Sequence, residues 1–179
     1  DKASCMAFKS GDANEKLLEL VNYAKANPKC AALVLLDPFG MQLNWETIQA
    51  LKDIKHIDLW ILVPSGVVIN RLLTRSGKIL YPERMEKTFG MSIDKIQKYF
   101  YQEVTEQSLF GDMVRQQKRN NTIHRIAQLY LELLGKEFSY VINQPLVLTN
   151  STNCPLFHFV FASHNQTGVK IASEIVIKK

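Results

Sequence analysis

Two carboxylates, Asp12 and Asp37, each follow an apolar stretch and precede a segment with helical spacing. A carboxylate in that position accepts hydrogen bonds either from a ligand or from the first backbone amides of the helix. Asp37 opens the corner Asp37-Pro38-Phe39-Gly40, in which proline fixes φ and therefore the direction of its carbonyl. The corner either holds a ligand or forms a turn that Asp37 caps and in which Gly40 takes a positive φ.

Basic side chains are concentrated in the middle of the chain. The sequence holds 22 basic and 17 acidic residues, a net charge of +5. The basic residues between positions 71 and 125 are Arg71, Arg75, Lys78, Arg84, Lys87, Lys95, Lys98, Arg115, Lys118, Arg119 and Arg125. Such a concentration suits a polyanion such as nucleic acid. A solvated basic surface without a ligand explains it equally well, because net charge governs association and solubility rather than one ligand.

Length and composition exclude several classes of protein. The 179 residues suit one domain with a substantial core, so we predict a single domain over positions 1–179. We find neither a long apolar span nor a leader pattern, and we therefore expect a cytoplasmic protein with no membrane contact. Cys5, Cys30 and Cys154 are far apart, which favours buried apolar cysteines over a disulfide framework or a metal site. Hydrolase and P-loop motifs are absent from the sequence.

Strand and helix patterns alternate in the first part of the chain. Apolar runs without alternation predict strands covered on both faces, and recurrences at helical spacing predict helices. The predicted order is strand 3–9, helix 13–26, strand 31–36, a helix from 45 to about 55, strand 57–63 and a short helix or turn at 67–73. This alternation is typical of a doubly wound α/β sheet, in which ligands bind beyond the carboxyl ends of the strands. Asp12, Asp37 and Pro64 all fall at that edge.

The second part of the chain departs from this alternation. Glycines, prolines and recurring aromatic residues predict a helical insertion at about 74–120 over the ligand edge, with one helix at 92–104 capped by Ser92. We then expect a helix at 122–134 closed by Gly135 and two strands, 138–149 and 156–163, that form an antiparallel hairpin. A short helix at 168–178 ends the chain.

Three further side chains have limited claims to a site. Trp45 shares a helical face with Ile48, so we expect it in the core rather than on a ligand. His158 lies in a strand and is expected to be an interior or edge histidine with its hydrogen bonds satisfied. His164 follows the last strand in a polar stretch, so we expect it to be exposed, with only a weak claim to substrate contact.

Four sequence pieces carry a resemblance to a known family. They are GDAN at 11–14, LLDPFGMQLNWETI at 35–48, DLWILVP at 58–64 followed by Arg71, and LFHFVFASHN at 156–165. The chain resembles the three-Cys-motif partner family (TcmP), which is similar to the S-adenosylmethionine-dependent methyltransferases. The resemblance implies a Rossmann-like, methyltransferase-type sheet with a C-terminal antiparallel hairpin. It also implies a possible partner, a three-Cys-motif protein encoded by a neighbouring gene.

The resemblance assigns roles to the two carboxylates. Asp12 would accept a hydrogen bond from the adenine amino group of S-adenosylmethionine, and Ala13 would offer its backbone N–H to the ring. Asp37 and the Pro38 carbonyl would orient a target amine for methyl transfer, with Phe39 as the stacking ring. Here Phe39 replaces the second proline of the corner found in amino-methyltransferases, and Gly40 replaces its aromatic residue. We also expect the glycine-rich opening of that fold to be missing, which would make cofactor affinity poor.

Two functions remain open from the sequence. The first is an S-adenosylmethionine-dependent methyltransferase that acts on an amino nitrogen of a nucleic acid. The second is a non-catalytic module of the same fold that binds another protein or nucleic acid. In both, the expected nucleic-acid contacts are Arg71, Arg115, Lys118 and Arg119.

Overall fold

Helices and a mixed β-sheet make up the computed structural model, which describes residues 9–108 and 111–177. Strands β1 (Ala31–Leu36) and β2 (His56–Val63) are parallel, with Ala31 opposite His56. The last strand, which we number β7 (Pro155–Ser163), runs antiparallel to β2. The α/β class is therefore confirmed. The sheet is mixed, because the antiparallel β7 lies directly beside β2.

The predicted C-terminal hairpin is present, although its first strand is interrupted. Two short strands, β5 (Tyr140–Val141) and β6 (Leu146–Thr149), both pair antiparallel with the free side of β7. Ile142 follows β5, is buried at 3% exposure and still donates its backbone N–H to the Phe161 carbonyl at 3.1 Å, so the interruption lies between Ile142 and β6. The sheet order is β1, β2, β7, and both β5 and β6 lie on the outer side of β7, one after the other along its length.

One face of the sheet carries most of the core. Helices α1 (Ala13–Ala26), α2 (Trp45–Leu51) and α6 (Thr122–Glu137) share one apolar cluster with the alternate residues of β2. Burial along β2 alternates strictly, which is the pattern of a strand with one dry face. Trp45 is 3% exposed, as expected of a core residue.

The opposite face is only partly covered. Helix α7 (Gln166–Ile177) packs there through a small cluster with Phe161 and Ala172. On β1 the same face leaves Leu33 and Leu35 74% and 64% exposed. The prediction that β1 is covered on both faces is therefore wrong for the described part of the chain.

The insertion is not wholly helical. Helices α4 (Pro82–Phe89) and α5 (Ile93–Phe100) are followed by a two-stranded ribbon, β3 (Tyr101–Ser108) and β4 (Gly111–Lys118). The predicted helix 92–104 was wrong beyond Phe100, where the chain becomes extended at Tyr101. The ribbon pairs with itself and forms a sheet of its own.

Several element ends also differ from the predictions. The predicted strand 3–9 lies outside the described residues apart from Lys9. The helix predicted from 45 to about 55 begins at Trp45 and ends at Leu51, and α6 continues through Gly135 to Glu137. A π-helical turn (Ser65–Ile69) and the short α3 (Asn70–Leu72) occupy the predicted short helix 67–73.

The cysteines and the membrane prediction have separate outcomes. Cys30 is partly buried and Cys154 is exposed, so the prediction of buried cysteines is wrong for Cys154, while Cys5 lies outside the described residues. Among the described helices, none combines the length and apolar character needed to cross a membrane.

Candidate functional site

The two sequence-predicted carboxylates lie near each other, at the end of the sheet where β1 finishes. Asp37 follows β1 directly. The first turn of α1 is fastened to the loop after β1, because the Asn14 amide donates to the Gln42 carbonyl at 3.0 Å and accepts from the Asn44 N–H at 2.9 Å. Asp12 precedes that turn, so it lies at the same edge as the Asp37 corner.

Asp12 caps helix α1. Its Oδ1 accepts hydrogen bonds from the backbone N–H groups of Asn14 at 2.8 Å and Glu15 at 3.3 Å. Hydrogen bonding by Asn14 is the main reason that the pKa of Asp12 lies below its ordinary value. The capping interpretation is therefore confirmed. Asp12 and Ala13 are both exposed residues.

The corner after β1 is a tight turn with an exposed ring. The Gly40 N–H donates to the Pro38 carbonyl at 2.8 Å, which closes a three-residue turn around Phe39. Gly40 has a φ of +98°, a conformation that favours glycine. Phe39 is 94% exposed, so its ring is available as a stacking surface. Asp37 is exposed as well.

A buried hydrogen-bonded chain follows β2 at the same edge. Ser65 and His158 are both 0% exposed, and Ser65 Oγ lies 2.6 Å from His158 Nδ1. His158 Nε2 lies 3.1 Å from Nδ1 of the exposed His124. Burial, with a smaller effect from His124, lowers the pKa of His158 to about 4. His158 is thus an interior histidine with both nitrogens partnered, as expected.

The sequence did not predict this set of hydrogen-bonded side chains. Ser65 and His158 are 93 residues apart, and neither stands in a recognised motif. The only local signal was the Pro64-Ser65-Gly66 break at the end of β2. Its partners on β7 and α6 become visible only once the sheet order is known.

A basic cleft lies along β4 beside the loop after α3. It has a volume of about 700 Å³ and is lined by four cationic side chains, Arg75, Arg115, Lys118 and Arg119. The remaining lining residues are Asn70, Ser76, Gln116, Gln117 and Asn120. No carboxylate is among the described residues that line it. Three of the four predicted nucleic-acid contacts are therefore brought together, whereas Arg71 is outside the lining.

Two of these cations also hold the cleft together. The Lys118 ammonium donates to the backbone carbonyls of Asn70 at 2.7 Å and Leu73 at 2.6 Å. Arg119 donates from Nε to the Tyr101 carbonyl at 3.0 Å. Burial and then the charge of Arg75 lower the pKa of Lys118. Arg75 is exposed, and it lines the same cleft as Lys118.

His164 lies at the other edge of the sheet. Because β7 is antiparallel to β2, Ser163 pairs with Asp58 near the start of β2. The His164 ring is hydrogen-bonded to the Lys52 carbonyl at 2.9 Å and to Ser139 Oγ at 3.0 Å. It therefore cannot contact a ligand held at the Asp37 corner, and substrate contact there is excluded for this residue.

Comparison with known proteins identifies no relatives. No protein family model, no curated protein and no solved structure matches this chain. Its resemblance to the three-Cys-motif partner family consequently stays a prediction that rests on its own motifs.

Proposed function

We propose that this protein is a binding module that holds nucleic acid in the basic cleft. The observation that carries the proposal is the lining of that cleft, in which four cationic side chains converge with amide side chains. Phosphate groups accept hydrogen bonds from arginine, lysine and amide donors.

The proximity of Arg75 and Lys118 supports an anionic ligand. Burial is the main reason that the pKa of Lys118 lies below its ordinary value, and the positive charge of Arg75 acts in the same direction. A phosphate between them would relieve this repulsion. Lys118 and Arg119, which are held by hydrogen bonds to the fold, would position the phosphate backbone of the nucleic acid. The exposed Arg75 side chain would adjust its conformation to contact a phosphate.

The salt dependence of binding provides the test. Arg75→Gln should make the plot of log affinity against log salt less steep by about one, because one phosphate contact is lost. Fluorescence anisotropy with a labelled nucleic acid, from about 50 to 200 mM salt, measures this slope. Arg75 is the better position for substitution because Lys118 and Arg119 also hold backbone carbonyls.

Lys170→Gln is the matched control. Lys170 is an exposed cation on α7 and is not among the residues that line the cleft. This variant removes the same charge and should keep the slope of the parent protein. Equal slopes for the parent, Arg75→Gln and Lys170→Gln would refute binding in the cleft.

A second candidate function is methyl transfer to an amine at the Asp37 corner. It is favoured by the Asn14 hydrogen bonds, which hold the Asp12 turn beside the loop after β1. The sheet order adds support, since β7 lies antiparallel between β2 and the β5–β6 edge, as in methyltransferase-type sheets. Phe39 is sufficiently exposed to stack on an amine-bearing ring.

The residues present fit one end of S-adenosylmethionine. The Asp12 carboxylate and the Ala13 N–H match the amino group and a ring nitrogen of adenine, one as acceptor and one as donor. The described residues provide no glycine-rich turn for the methionine end. When bound, the cofactor would supply an electrophilic methyl group, while Asp37 would orient the amine.

Asp12→Ser separates capping from adenine binding. Serine caps a helix as well as aspartate does, so the thermal midpoint should stay within a few degrees of the parent protein. Its shorter side chain cannot extend to the adenine amino group, so affinity for S-adenosylmethionine in calorimetry should fall about tenfold. Absence of binding heat in the parent protein would count against this second function and would leave the cleft proposal intact.

A further inference from the structure

One strip of the sheet, over β1 and β2, has no helix above it in the part of the chain that the structure describes. Leu33 and Leu35 point to this face, and they are 74% and 64% exposed. Their neighbours on β2 are Asp58 and Trp60. Trp60 is partly buried and also packs against Phe161, which lies in the small cluster under α7. The strip is therefore apolar along β1 and continues at Trp60 into the cluster that α7 covers.

Helix α7 forms one side wall of this strip. Gly168 faces β2, because a Cβ at this position would lie 2.7 Å from Asp58 Oδ1. Ile171 and Ile175 follow at helical spacing on the same side of the helix, and both are 55% exposed. Ile177 lies on the other side, where it lines a cleft with residues that follow β5. The strip and the side chains of Ile171 and Ile175 thus form one apolar groove.

The groove has the dimensions of one helix. Two neighbouring strands are about 10 Å wide, and the 6 residues of β1 are about 20 Å long. A helix of 12 residues, the length of α7, is about 18 Å long and about 10 Å in diameter. A helix with an apolar stripe therefore fits in the groove with its axis beside that of α7.

We infer that a second copy of this chain fills the groove with its own α7. The outer side of α7 carries Ile171 and Ile175, whereas its inner side packs on its own sheet through Ala172 and Val176. A twofold axis parallel to the strands would place α7 of each copy over the β1–β2 strip of the other, so both grooves would be filled at once. Ile171 and Ile175 of both copies would then be removed from water. This surface is separate from the basic cleft, and the inference does not depend on nucleic-acid binding.

The area of the groove is sufficient for a weak, reversible dimer. The strip and the outer half of α7 together amount to about 500 Å² in each copy, or about 1,000 Å² in total. This total lies near the lower limit for a specific interface. A contiguous apolar patch of such a size commonly marks an interaction site. Asp58, at one end of the groove, accepts a hydrogen bond from Ser163 Oγ of its own copy at 2.7 Å.

Sedimentation at increasing protein concentration tests the dimer. The parent protein should change from monomer to dimer as its concentration rises through the micromolar range. Leu35→Lys and Ile171→Glu should each weaken self-association about tenfold or more, because each places a charge in an apolar contact. Met113→Lys is the matched control for Leu35→Lys, since Met113 is 65% exposed on the ribbon and is remote in sequence from β1 and α7. This variant should dimerise like the parent protein.

A mixture of Leu35→Lys and Ile171→Glu distinguishes a broken interface from a damaged fold. In the mixed dimer, one groove is unchanged, and the other brings the introduced carboxylate to the introduced ammonium. The mixture should therefore associate about tenfold more tightly than either variant alone. Equal association of the mixture and the separate variants, or a dimer that neither substitution weakens, would overturn the inference. A parent protein that stays monomeric at every concentration would also overturn it and would leave the groove to a helix of a different protein.

Discussion

Replacing Gly66 by alanine is expected to lower the free energy of unfolding by about 3 kcal/mol or more. A Cβ on Gly66 would lie 2.1 Å from the Pro155 carbonyl oxygen and 3.2 Å from the Leu156 Cα. These are backbone atoms at the start of β7, so no side-chain rotation can make room. The π-helical turn and β7 would have to move apart, which would disturb the Ser65–His158 contact beside them.

Gly135→Ala is the matched control for this substitution. Gly135 lies inside α6, where an added Cβ would meet only Val141 Cγ2 at 3.9 Å, an ordinary contact. Alanine is the better helix former, so this variant should gain about 0.5–1 kcal/mol. Urea unfolding of both variants measures the difference. A Gly66→Ala protein as stable as the parent would show that the turn and β7 are not packed as described.

The local order of elements near the N-terminus could be predicted because its signals are contiguous. Asp12 caps α1, and Asn27-Pro28 stops it, so both ends of the helix follow from neighbouring residues. The bounds of β1 were likewise correct. The same residues do not show whether one face of β1 or both faces are packed, because an apolar run is compatible with either arrangement.

The ribbon escaped prediction for a related reason. The aromatic residues Tyr99, Phe100 and Tyr101 fit a helical period as well as the start of a strand, so the helix at 92–104 was extended too far. The strands of the ribbon are exposed over most of both faces. They therefore lack the alternation of apolar and polar residues that marks a half-buried strand.

The candidate site residues also differ in whether the sequence alone predicts them. The Asp37 corner is visible in the sequence because its four residues are adjacent. The cleft needed the fold, since Arg75 and Arg119 come from separate elements and only the base of the ribbon brings them together. The Ser65–His158–His124 chain also joins three separate elements, so no spacing rule predicts it.

The buried histidine predicts a loss of stability in mild acid. Burial holds the pKa of His158 at about 4 in the folded protein, whereas an unfolded histidine titrates near pH 6.5. Between these values the unfolded chain binds a proton that the folded chain does not. The free energy of unfolding should therefore be highest above about pH 6.5 and fall as the pH approaches 4, by a total on the order of 3 kcal/mol.

Urea unfolding at a series of pH values, with two glutamine variants, isolates this effect. His158→Gln removes this titrating group, so the free energy of unfolding of the variant should change less between pH 6.5 and 5 than that of the parent protein. Carboxylates contribute little in this range. His124→Gln replaces the exposed ring and keeps His158, so most of the dependence on pH should persist. Equal slopes for the parent protein and His158→Gln would mean that His158 protonates in the folded state without cost. The hydrogen bonds of His158 to Ser65 and His124 would then stabilise its protonated ring in the folded protein.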